Sequence, residues 1–149
     1  MRSIQVMVAL AALAAAPGGW LRADLKTAMA EPDLGKRSKL ALDNAGAALK
    51  ATREAYNRGE NEKVTAGANE ILESVNLAAD SLKATGKNPR RSPKWFKQAE
   101  IATRDLLKKM ETLQHDMNFE ERNVLDKAKV RTQEVHDELL LGLMEGKKK

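Results

Sequence analysis

Residues 87–98 read KNPRRSPKWFKQ. Asn88 and Pro89 end whatever helix enters this stretch. Ser92 followed by Pro93 has the form of an N-cap with proline at the first helical position. Read as a connection, the stretch makes the chain on either side two helices that can fold back on one another. Phe96 is then the first rung of an apolar stripe, and Trp95 covers its rim.

The flanking sequence supports that reading. Four stretches after Glu31 carry apolar or small residues three and four apart. The first has Leu42, Ala45, Leu49, Thr52 and Tyr56; the second Val64, Ala68, Ile71, Val75, Ala78 and Leu82. The third has Phe96, Ala99, Thr103, Leu106, Met110 and Leu113; the fourth Leu125, Ala128, Thr132, Val135 and Leu139. Such spacing buries one face of a helix. Gly59 and Gly86 stand where a left-handed helix cap is wanted, and Asn118 with Glu121 has capping-box spacing. The sequence predicts helices over 36–58, 61–85, 93–115 and 119–145, each about 35–40 Å long at about 1.5 Å per residue. Matched helices with short links predict an all-α fold, an antiparallel up-down-up-down four-helix bundle over residues 36–149 with coiled-coil-like seams. A tetratricopeptide reading of AYNRGE fails, because each helix pair is longer than that repeat of about 34 residues.

Composition agrees. In 149 residues the aromatics are only 3% and cysteine is absent, which favours helices and excludes disulfides and thiolate metal sites. Ahead of the bundle, Arg2 precedes an apolar run from Ile4 to Ala16, the layout of a secretory signal. Residues 1–23 are expected to be a signal peptide, or an anchor if left uncleaved, and 24–35 a leader or linker. The expected location is secreted or periplasmic, with membrane association through an uncleaved leader.

Catalytic patterns are missing. The sequence has no G-x-S-x-G elbow and no H-E-x-x-H helix. His115 and His136 fall about 25 Å apart along the bundle and cannot share a metal. The opposite-charge pairs Glu54–Arg58, Glu100–Arg104 and Asp105–Lys109 have surface helix spacing. The expectation is a non-enzymatic protein without cofactor or metal. The alternative is a haem- or metal-carrying bundle: Met29 in ADLKTAM, with His136 on the last helix, resembles the Met and His ligands of exported four-helix b-type cytochromes.

The charge layout gives the functional expectation. The formal charge is +5, from 26 basic and 21 acidic residues. In the expected topology the start of the first helix, the second connection and the chain's C-terminus share one end. That end gathers Lys36, Arg37, Lys39, Lys87, Arg90, Arg91, Lys94 and Lys97 as candidate anion-binding residues, with Lys147, Lys148 and Lys149 beside them. The expected role is binding an anionic membrane surface or wall polymer, or a protein partner, through this basic end. Nucleic acid, with Trp95 and Phe96 as stacking groups, is disfavoured by the export signal.

Overall fold

The computed structural model describes residues 19–146, with side chains from Leu25 onward. Most of the expected signal segment, and Lys147–Lys149, lie outside the described residues. The described chain is all-helical, and four long helices pack against one another. The elements are α1 (Gly19–Ala30), α2 (Leu34–Asn57), α3 (Asn61–Ala84), α4 (Lys94–Asp116), a 3₁₀ turn at Arg122–Leu125, and α5 (Asp126–Glu145).

The segment expected as a linker differs from that reading. It holds the last turns of α1, whose Leu25 and Ala28 are buried and which packs on α2 and, less, on α3. Two apolar anchors are too few to show a stripe in the sequence. The turn into α2 is locked from both sides. The Asp33 carboxylate accepts from the Lys36 amide at 2.9 Å, and Arg37 Nε donates to the Glu31 carbonyl at 2.8 Å.

α2 and α3 form the most extensive pairing. Their seam is built of Ala41, Ala45, Ala48, Ala68 and Ala78, all buried, so the backbones approach closely. Gly67 faces Thr52, whose hydroxyl occupies the place a β-carbon would take. The link between these helices turns at Gly59, with φ of +72°, and the Glu60 amide returns to the Ala55 carbonyl at 2.9 Å. Gly86 has φ of +65°, also as expected.

Side-chain pairs give the helix directions. Asn44 reaches Glu70 and Ser74 while Thr52, further along α2, meets the earlier Gly67, so α2 and α3 run antiparallel. His136 meets Glu100 and Gln114 meets Asp126, so α4 and α5 do too. Across the two hairpins the pairs advance together: Asn76 with Arg131 and Lys83 with Glu138 join α3 to α5. Trp95 against Gly35 and Arg53 with Asp116 join α2 to α4. Like-directed helices are therefore neighbours, whereas α3 and α4 barely touch and α2 does not reach α5. The neighbour order is crossed rather than serial, a choice that alternating helix directions leave open. Residues 85–93 cross the diagonal, a span that nine residues cover with ease at about 3.3 Å each.

Two helix starts also differ. α4 begins at Lys94 without a side-chain cap from Ser92. The loop before it is organised by Asn88 instead, whose side chain accepts from the Arg90 amide and whose carbonyl accepts from Ser92. The Asn118–Glu121 box is a backbone turn, and the last helix starts only at Asp126. Ile71, Val75, Met110, Leu113 and Leu125 are the large side chains fully buried at the centre.

Candidate functional site

The two packed hairpins bring three separate segments to one end. The indole of Trp95 lies on Gly35, Pro89 lies against Gly142, and Asn88 and the Arg90 side chain lie against Gly146. The start of α2 thus meets the start of α4, and the 85–93 crossing meets the finish of α5.

The eight candidate residues do not behave alike there. Lys36, Lys87, Arg90, Arg91 and Lys97 are exposed, and their side chains make no hydrogen bond or ion pair among the described residues. Arg37 is half-buried and spent on the Glu31 carbonyl. Lys39 pairs with Asp43 at 2.8 Å, and the Lys94 ammonium sits over the Trp95 ring, 4.6 Å from its centre. The candidate set is therefore five open cations and three with internal work.

Electrostatics distinguish this end from the other. Neither α2 nor α4 has an acidic residue in its first turn, although a helix N-terminus favours anions. At the opposite end α3 and α5 follow the rule, with Glu62 and Asp126 in their first turns. Asp33 feels the charges of two of the open cations, Lys36 and Lys87. Its carboxyl is held below its ordinary value chiefly by the hydrogen bond from the Lys36 amide; desolvation opposes this, and the charge of Lys36, the Gly35 amide and the charge of Lys87 add to the lowering.

Apolar surface is present at the same end, which the sequence reading missed. Leu140, Leu141 and Met144, in the last turns of α5, are 42%, 48% and 68% exposed. The run LLLGLM at 139–144 carries more apolar side chains than one helix face can bury, and that is the signal that could have shown it. Two grooves open between helices of different hairpins, and neither is lined by these three side chains. One, of about 340 Å³, lies between α3 and α5, and the other, of about 400 Å³, between α2 and α4.

The remaining titratable clusters are structural. His136 and Glu100, each 14% exposed, meet at 3.1 Å between α4 and α5, so Glu100 is not the surface residue that its spacing from Arg104 suggested. The Arg104 contact is longer, at 3.7 Å, whereas Asp105–Lys109 forms at 2.8 Å. Met29 is exposed on α1, which makes no contact with α5, so the cytochrome-like ligand pair is not brought together. Among the described residues no three metal-ligating side chains gather, and no helix is long and apolar enough to cross a membrane. No protein-family model, curated protein or solved structure matches the chain.

Proposed function

We propose that the chain is an exported, non-enzymatic helical protein of the cell envelope that docks on anionic lipid surfaces through the end of the bundle bearing Lys36, Lys87, Arg90, Arg91 and Lys97. In this reading the helices form an antiparallel bundle of up-down-up-down sense, which fixes which termini share an end.

The observation that carries it is the coincidence of open cations with Leu140, Leu141 and Met144 on one end. Cations alone would suit a wall polymer equally. Exposed aliphatic side chains beside them favour a surface with an apolar layer under its charge, the arrangement of interfacial amphipathic helices. Lys36 and Lys97, in the first turns of α2 and α4, oppose the helix dipoles and have no side-chain partner among the described residues, so an external anion would be their counterpart.

Co-sedimentation with neutral and anionic vesicles across a salt series tests the proposal. Replacing Lys87, Arg90, Arg91 and Lys97 with Gln removes up to about 4 kcal/mol at about 1 kcal/mol per cation, a several-hundredfold loss of binding. The helical circular-dichroism signal is expected to stay. Equal binding to neutral vesicles, or none to anionic vesicles at low salt, refutes it.

A further inference from the structure

The groove between α3 and α5 is an elongated apolar trough with a charged mouth. Its floor is Ala79, Leu82, Phe96, Val135, Leu139 and Gly142. From Val135 to Gly146 it follows α5 for about 16 Å at about 1.5 Å per residue. The charged residues that line it are Lys83, Lys87 and Glu138. Lys83 there is paired with Glu138 at 3.6 Å, while Lys87 is unpaired and the Arg90 side chain lies against Gly146 at the same mouth. The rim is thus left with uncompensated positive charge.

These features select an occupant. The volume, about 340 Å³, is at the low end of small-molecule sites, which run from about 300 to 1,000 Å³. A peptide backbone would need hydrogen-bond partners that an apolar floor does not offer. A planar ring system fits a long trough poorly. An alkyl chain needs no polar partner along its length, and an anionic head at its end would meet Lys87 and Arg90.

We infer that the α3/α5 groove binds one alkyl chain of a single-chain anionic lipid, with Lys87 and Arg90 holding its head group. The inference builds on the surface-docking reading: a protein seated on an anionic membrane by this end would have its groove mouth at the head-group level.

The test titrates the full chain calorimetrically with dodecanoate below its micellar concentration, then with decanoate and with dodecanol. Saturable one-site binding of dodecanoate is expected. Each methylene removed should weaken it about fourfold, so decanoate binds about fifteenfold more weakly. Lys87→Glu is exposed and should lower dodecanoate affinity tenfold or more while leaving dodecanol unchanged. Gly142→Leu should occlude the trough and abolish both; if it loses helical signal, the chain-length series and Lys87→Glu still decide. Absence of saturable binding, no dependence on chain length, or equal effects of Lys87→Glu on acid and alcohol would each overturn the inference. Vesicle binding without dodecanoate binding overturns the groove and spares the surface reading. Dodecanoate binding without vesicle binding supports the groove and sinks the surface reading.

Discussion

Gly35→Ala should change sign depending on what stands at position 95. Gly35 occupies the first turn of α2, buried under the Trp95 indole, and a β-carbon added there would fall on the ring atoms themselves. The indole is rigid and must move as a whole. Forcing a methyl group into such a contact costs about 1–3 kcal/mol. Against this, alanine is better than glycine in a helix by at most about 1 kcal/mol, less near a terminus. The expected net effect is a destabilisation of about 0–3 kcal/mol. In a Trp95→Ala background the obstacle is gone, and the same substitution should stabilise by up to about 1 kcal/mol.

The measurement is a double-mutant cycle from urea unfolding followed by far-ultraviolet circular dichroism, with a coupling of about 1–3 kcal/mol expected. Tryptophan emission provides a second readout, since a displaced Trp95 should shift to the red in Gly35→Ala. Stabilisation by the same amount in both backgrounds would mean that the indole is not seated on Gly35. The join between α2 and α4 at the basic end would then be wrong, and with it the convergence of charge.

Three further outcomes can be checked on purified variants. Asp33→Ala should lower stability at pH 7, and the difference should close in acid. The folded carboxyl titrates below its ordinary 3.8, so its contribution is full above that value and is lost as pH falls through the lowered one. Thermal melts at pH 7 and below pH 3 measure it, and a constant difference would refute it. Asn44→Ala should cost about 1–3 kcal/mol, because it strips the Glu70 carboxylate, in a residue 6% exposed, of its amide donor. Replacing Asn44 and Glu70 together with Leu should recover that loss in urea unfolding, since buried polar pairs are often matched by apolar ones. Glu100→Ala and His136→Ala should each cost about 1 kcal/mol, and the double variant less than the sum, because the two side chains hold each other between α4 and α5.

The sequence shows the helices because their faces are local. Ile71, Val75, Leu82 and Leu106, Met110, Leu113 repeat at helical spacing, and each is buried. Gly59 and Gly86 mark their caps through backbone freedom that only glycine has cheaply. Neighbour order is not local. An alternating chain predicts only which way each helix runs, and both the serial ring and the crossed one satisfy that. The choice lies in contacts such as Lys83 with Glu138 and Trp95 on Gly35, which join residues dozens of positions apart. The candidate site shared this division. Which cations belong to the proposed end is argued from helix direction alone. That Arg37 is spent on the Glu31 carbonyl, and that an apolar trough opens beside Lys87, depends on neighbours and was not legible.

The crossed order also explains why a Trp-Phe pair stands among the basic residues. Consecutive residues of a helix point about 100° apart, so Trp95 and Phe96, at the start of α4, cannot enter the same seam. Trp95 lines the groove between α2 and α4, and Phe96 lines the one between α3 and α5. One aromatic ring is thus inserted into each junction between the hairpins, at the end where the 85–93 crossing passes over. The α2/α3 hairpin cannot yield to them, being closed by alanine contacts along its length. Both grooves are therefore open at the basic end, and toward the other end Met110, Leu113, Met117 and Leu125 fill the interior. The pair has a packing role, one ring lining each groove between the hairpins, and under the proposed reading the trough that Phe96 lines is the one at whose mouth Lys87 and Arg90 would hold a head group.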